Sequence, residues 1–191
     1  MVTKNPFTSS NVLVRATALW VAGFACMLVT WSLSYRSLPE GALTGKLLVS
    51  HVRIIAMEFL STFTRIFIYN LLFASLPLVL ANLVKVKGIP LGYVLVPYHW
   101  SMYGTMLGTN SFALPSPVKL APSLQVLFQG TGVYEVTAYT LIASATYNLS
   151  RRLEGFGRSA PSLSWGDKAI LASSIILLAL SNLAEALQIH S

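Results

Sequence analysis

A run of about 20 residues without charge, Ala16 to Tyr35, constrains this chain more than any other feature. An α-helix of that length and apolarity spans the hydrocarbon of a bilayer. Charged residues make up 10% of the chain, against about 25% in a soluble domain. The run is longer than the apolar region of a secretory signal, about 7–15 residues, and no small-x-small cleavage site precedes Arg36. The sequence therefore predicts an integral membrane protein with a retained first helix.

Apolar segments separated by turn-forming or charged residues predict an all-α polytopic membrane helix bundle with about five transmembrane helices. At 191 residues, we expect a single integral membrane domain over 1–191. Cys26, the one cysteine, lies in the first span and excludes both an intrachain disulfide and a thiol metal site. The predicted spans are approximately 12–34, 67–84, 89–108, 133–149 and 169–187.

Two segments between the spans are irregular. Apolar residues recur at three to four positions over 44–65, but charges interrupt them, which predicts an interfacial amphipathic helix. A linker helix packed on the other spans is the alternative. Prolines break 113–130 around a stretch, 123–129, that can form two helical turns. That pattern fits a re-entrant half-helix dipping in from outside, and a plain external loop is the alternative.

The distribution of Lys and Arg predicts the orientation. Eight lie on the side that holds the N-terminus and four on the other, with Arg65 uncounted because it begins a span. The positive-inside rule then predicts a multi-pass protein of the cell membrane, with the N-terminus cytoplasmic and the C-terminus external. The basic residues lie in short loops without a run that would follow phosphates, so the net charge of +7 does not predict a nucleic-acid partner.

Glu135 is the only charged residue between Leu120 and Ser150. An acid at the centre of a membrane helix costs at least about 2.5–3.5 kcal/mol, so such residues usually have a function or a partner. The predicted topology brings four polar residues to the outer half of the membrane, with His99 nearer the middle: Arg65, Asn70, Glu135 and Glu185. Arg65 can pair with a carboxylate there. This cluster is either a buried structural clasp or part of a proton or ion pathway, and the scarcity of ionisable groups in the inner half favours the clasp.

Four short motifs resemble those of the stage II sporulation protein M family over about Phe63–Glu185. Ile66–Leu71 resembles the family's aromatic entry with a helical Asn, and Tyr103–Gly108 resembles its Asn-Gly-x-x-Leu-Gly turn. Gly132–Ala138 resembles its His-Gly-x-x-Glu-x-x-Ala core, and Leu183–Glu185 its closing Ala-x-x-Glu. The chain departs from the pattern at two positions: Thr131 stands where the family has His, and Tyr103 where it has Asn.

The resemblance implies a polytopic membrane protein without established chemistry of its own. The named family member works in a complex with cell-wall hydrolases that remodel septal peptidoglycan. If the family's His takes part in handling protons or in partner contact, Thr131 leaves this chain without it.

The sequence contains no motif for catalysis. The histidines, His51, His99 and His190, lie on separate segments without metal-ligand spacing, and no phosphate-binding or dinucleotide-binding fingerprint is present. We therefore expect no catalytic residue, no cofactor and no metal. The sequence predicts a non-enzymatic membrane scaffold or subunit, in contact with membrane lipids and other membrane subunits. The alternative is a small oligomeric transporter or channel, built as a homo-oligomer, with the acids in its path.

Overall fold

A computed structural model describes residues 5–44, 58–112, 116–150 and 163–190. The predicted all-α class is confirmed, with one small β-hairpin, β1 (Lys85–Val86) and β2 (Ile89–Pro90), between two helices. Single 3-10 turns lie at Pro6–Thr8 and Tyr147–Ser150. The helices are α1 (Val12–Ser37), α2 (Phe59–Ala81), α3 (Gly92–Thr109), α4 (Leu124–Gln129), α5 (Gly132–Ala145) and α6 (Trp165–His190).

Three of the described helices, α1, α2 and α6, are long and apolar enough to cross a membrane, which is consistent with a membrane location. The predicted count of about five is not supported. At 14 residues, α5 measures about 21 Å, short of the hydrocarbon thickness of about 30 Å. The 18 residues of α3 suffice in length, but its Tyr, His, Ser and Gly residues make it too polar. Both helices are extensively buried among the others, so neither needs a uniformly apolar surface.

The start of α2 was predicted wrongly. The helix begins at Phe59, eight positions before the predicted start at 67, and ends at Ala81 rather than 84. It continues through Arg65, which is exposed on the helix surface, because a long Arg side chain can bury its methylene stem and keep its charge at the edge of the apolar layer. The last part of the predicted interfacial helix thus belongs to α2, which is a candidate for spanning the membrane. Residues 45–57 of that predicted helix lie outside the described residues.

A π-helical segment, Asn70–Ser75, interrupts α2. Pro77 follows it, and proline lacks the N–H that would continue the regular hydrogen-bond ladder, so the widened turn absorbs the break. Asn70 is the first residue of the segment, and its Nδ2 donates a hydrogen bond to Asn182 Oδ1 on α6 over 3.0 Å. The irregular turn therefore coincides with a polar link between two helices.

Contacts near the helix ends show the relative directions of the helices. Arg15 and Asp167, near the starts of α1 and α6, are hydrogen-bonded over 2.7 Å, so these two helices run parallel. At the far end of α6, His190 Nε2 lies 3.0 Å from Thr62 Oγ1 near the start of α2, which therefore runs the opposite way. We call the end that holds Arg15 and Asp167 the Arg15 end.

The opposite end is organised around Asn110, and we call it the Asn110 end. Asn110 follows α3 in a left-handed conformation, and its side chain donates to Glu40 Oε1 over 2.6 Å and to Ser116 O over 2.7 Å. Lys119 Nζ donates to the carbonyls of Tyr35 and Leu38, which satisfies acceptors at the end of α1. These hydrogen bonds join the segment that follows α1 to the segment that follows α3.

Helices α1 and α3 approach closely at two glycines of α3. A Cβ placed on Gly104 would lie 2.5 Å from the Met27 carbonyl oxygen, and one on Gly108 would collide with the Ser34 side chain. Small residues one helical turn apart allow membrane helices to pack with their backbones in near contact. Around this contact the core contains Trp31 and Trp100, both fully buried.

Candidate functional site

The most extensive polar site of the described residues is centred on the Arg15–Asp167 ion pair. Arg15 is completely buried, and its Nη2 lies 2.7 Å from Asp167 Oδ1. The same nitrogen donates to Ser144 O at the end of α5 over 3.1 Å, and Nη1 donates to Ser9 O over 2.7 Å. One guanidinium therefore joins α1, α5, α6 and the segment that precedes α1.

The carboxylate of Asp167 accepts further hydrogen bonds from side chains near the start of α6. Its Oδ2 accepts from Asn148 Nδ2 over 3.1 Å and from Ser164 Oγ over 2.8 Å. Ser164 Oγ in turn accepts from the Asp167 N–H over 3.1 Å, and the Ser164 N–H donates to Asp167 Oδ2 over 3.2 Å, which is the reciprocal arrangement of a capping box. A carboxylate in the first turn of a helix also interacts favourably with the helix dipole. The Arg15 guanidinium completes the site by lying 4.8 Å from the ring centre of Tyr147.

Sequence reasoning missed this site. It counted Arg15 as a charge near the membrane surface and assigned Asp167 to a loop. Two features of the sequence could have revealed it: the Ser164-x-x-Asp167 pattern of a helix start, and an arginine placed inside an otherwise apolar helix. Because Arg15 is fully buried, its charge requires a partner in the protein.

Hydroxyl groups of α5, and of Thr146 directly after it, accept hydrogen bonds from side chains of neighbouring segments. Trp20 Nε1 of α1 donates to Thr137 Oγ1 over 3.0 Å, and Trp100 Nε1 of α3 donates to Thr140 Oγ1 over 2.9 Å. Near the Arg15 end, Asn82 Nδ2 donates to Thr146 Oγ1 over 2.6 Å. Each hydroxyl also donates to a carbonyl of its own helix. Helix α5 thus carries a series of hydroxyl groups that are hydrogen-bonded to the segments packed around it.

The structure brings Glu135 of α5 and Glu185 of α6 together. Their carboxyl groups face each other within hydrogen-bonding range, while Glu135 Oε1 is buried without a hydrogen-bond partner. Tyr139, one turn beyond Glu135, packs on His99 with 5.4 Å between the ring centres. His99 Nδ1 is itself 2.7 Å from the Leu95 carbonyl. Tyr139 therefore links His99 to the helix that carries Glu135.

Asn70 and Arg65 occupy different positions relative to this pair. Asn70 reaches Asn182, which lies one turn before Glu185 on α6, so it joins the same polar layer. Arg65 is on the exposed part of α2. Because Glu135 Oε1 has no partner, a bidentate Arg65–Glu135 pair is not formed. Four of the five predicted residues thus share one layer, and their main contacts are carboxyl–carboxyl and amide–amide.

A groove of about 260 Å³ opens beside the two acids. Its lining includes Tyr134 and Ala184, each adjacent in sequence to one of the two acids, together with Ser181 and Gln188. Within the described ranges, no group of three or more His, Cys, Asp or Glu side chains is placed to hold a metal ion.

No protein-family model matches the chain, and no curated protein or solved structure is significantly similar to it. The resemblance to the stage II sporulation protein M family stays a prediction that rests on the motifs themselves. Two of these motifs have distinct places in the fold. The glycines of Tyr103–Gly108 allow α3 to pack on α1, and Glu135 of Gly132–Ala138 faces Glu185.

Proposed function

We propose that this chain is a non-enzymatic integral membrane scaffold, or a subunit of a larger membrane assembly, of the kind that a resemblance to stage II sporulation protein M implies. The observation that carries this proposal is the Arg15–Asp167 site. Its hydrogen bonds run to Ser9, Ser144 and other groups of the chain itself, so its charges hold helices together.

We further propose that α3 and α5 cross the membrane together with the three longer helices, which gives five passes. The alternating directions of α1, α2, α3, α5 and α6 between the Arg15 end and the Asn110 end support this proposal. A short α5 crosses in combination with α4, which precedes it at the Asn110 end. In this arrangement the Arg15 end is cytoplasmic, in agreement with the basic residues that are counted there.

Helix α2 offers the surface on which a partner subunit would pack. Its buried residues are only Thr62, Ser75 and Leu78 among those described. Phe73 and Leu80 are exposed by 60% and 53%. An apolar face of this kind suits either lipid or another membrane helix, and the scaffold proposal assigns part of it to a helix.

The test is cross-linking in the native membrane. A photoreactive amino acid at Phe73 on α2 should yield adducts with one or a few defined membrane proteins, identified by mass spectrometry after purification. The same photoreactive amino acid at Val29, 57% exposed on α1, is the matched control. It measures the adducts that form when membrane proteins collide at random in the bilayer. Identical adduct patterns at both positions, or adducts with lipid alone, would contradict the subunit proposal.

The second candidate function is a small oligomeric transporter or channel. The observation in its favour is the Glu135–Glu185 contact beside an open groove, because intramembrane acids often mark ion or proton pathways. Purified protein in sealed vesicles would then dissipate a pH gradient faster than empty vesicles. The flux should disappear in Glu135→Gln while the folded protein is retained. We expect no flux above that of empty vesicles.

A further inference from the structure

The β-hairpin after α2 has an unusual residue at its tip. Lys85 pairs with Pro90 and Val86 with Ile89, which leaves the two-residue turn Lys87-Gly88. Both turn residues have positive φ, +51° and +80°. Two-residue turns with positive φ at both positions favour Asn-Gly, because asparagine and glycine tolerate this conformation. A lysine in the first position is therefore held in a conformation that most side chains avoid.

The tip points away from the rest of the protein. Lys87 is exposed, and a Cβ built on Gly88 would meet no atom within 4 Å. The residues that flank the turn expose large apolar side chains, Val84 by 50%, Val86 by 54% and Ile89 by 38%. A segment directly after a membrane-spanning helix that combines exposed lysine with exposed valine and isoleucine matches the headgroup layer of a bilayer.

The Arg15 end of the bundle, to which the hairpin belongs, carries several basic residues. Lys85 Nζ lies 4.4 Å from the ring centre of Tyr147, the ring that Arg15 also contacts, so the hairpin belongs to the Arg15 end. Lys168 is exposed at the start of α6, next to Trp165, which is exposed by 85%. Asp167 is paired with Arg15, and Lys87 and Lys168 are exposed to the surroundings of this end.

We propose that this hairpin is a binding site for anionic lipid headgroups, with Lys87 at the contact with the lipid phosphate. The valine and isoleucine side chains would rest on the upper acyl chains, and Trp165 and Lys168 would extend the same interfacial surface. Backbone conformations that a residue disfavours tend to persist where the residue has a function. The charge of Lys87 supplies that function, since basic residues at the membrane surface attract anionic lipids.

The experiment measures lipid preference around the purified full chain in phosphatidylcholine vesicles. Spin-labelled phosphatidylglycerol and spin-labelled phosphatidylcholine are compared at equal mole fraction, and the ratio of their association constants gives the preference. We expect wild type to prefer phosphatidylglycerol. Lys87→Asn should lower the ratio by up to about fivefold, the effect of one basic residue near the surface, whereas Lys87→Arg should retain it.

The control variant is Arg36→Asn, which removes one exposed positive charge near the Asn110 end of α1. It should change the ratio much less than Lys87→Asn. Because asparagine suits the turn, Lys87→Asn should melt at or above the wild-type temperature in neutral lipid, which separates lost binding from lost folding. An unchanged ratio in Lys87→Asn would overturn the proposal. An equal decrease in both variants would do the same, because it would show only a general effect of net charge.

Discussion

Arg15 and Asp167 are 152 positions apart in the chain, yet their side chains meet in a buried ion pair with 2.7 Å between Nη2 and Oδ1. The pair closes the Arg15 end of the bundle by joining α1 to α6. Each buried charge offsets the desolvation cost of the other, so neither is favourable alone.

Removing one member of this pair should be far more damaging than removing both. Asp167→Leu leaves the Arg15 charge buried without compensation, at a cost of about 3–5 kcal/mol. The double variant Arg15→Met with Asp167→Leu should recover a large part of that loss. Thermal melting of detergent-purified protein measures the difference. Arg36→Met, at an exposed arginine of the same helix, is the control and should melt close to wild type. A double variant no more stable than Asp167→Leu would contradict this account.

Glu135→Gln should be tolerated better than Glu135→Leu. The glutamine amide can still donate to the facing Glu185 carboxylate, whereas leucine leaves that carboxylate without its neighbour at a cost of about 1–3 kcal/mol. Yield from membranes and melting temperature of the two purified variants provide the comparison. Equal behaviour of the two variants would argue against a structural role for the acid pair.

The C-terminal end of α6 should be external and the hairpin cytoplasmic. After replacement of Cys26 by serine, a cysteine inserted after His190 should react with an impermeant thiol reagent added to intact cells. A cysteine at Lys87 serves as the opposite control and should react only after lysis. If the two cysteines exchange these behaviours, the orientation is inverted. If both react from outside, the number of membrane passes is wrong.

Gly108→Ala should destabilise the bundle because its new methyl group would collide with Ser34 on α1. Overpacking of this kind costs about 1–3 kcal/mol. Gly166→Ala is the matched control, since its nearest contact would be Val12 Cγ1 at an ordinary 3.6 Å. Melting temperatures of the two variants give the test. A tolerated Gly108→Ala would mean that α1 and α3 can separate without loss of stability.

The sequence anticipated the features that depend on neighbouring residues. Apolar length predicted α1 and α6 to within a few residues at each end, and the turn-forming residues around 123–129 predicted the short α4 (Leu124–Gln129). The predicted topology placed Glu135 and Glu185 at the same depth in the membrane, and in the structure their carboxyl groups are in contact. These inferences needed only local periodicity and the alternation of spans.

The features that were missed depend on distant contacts or on single side chains. Charge counting treated Arg15 as a signal for orientation, and nothing local in the sequence indicates that Asp167 reaches it from α6. The hairpin was predicted as a loop followed by a span at 89, because two strands of two residues each are too short to show a periodic pattern. Arg65 was placed at the start of the second span, whereas the helix begins six residues before it, because one long cation at a helix surface is tolerated.

The link between Arg15 and Asp167 also has a consequence for biosynthesis. At 5–20 residues per second, the ribosome needs about 8–30 s to reach Asp167 after it has made Arg15. During that interval the first helix carries an arginine whose carboxylate partner has not yet been made. A chain interrupted before α6 would lack that partner, and we expect it to pack less stably because a buried charge without its partner is costly.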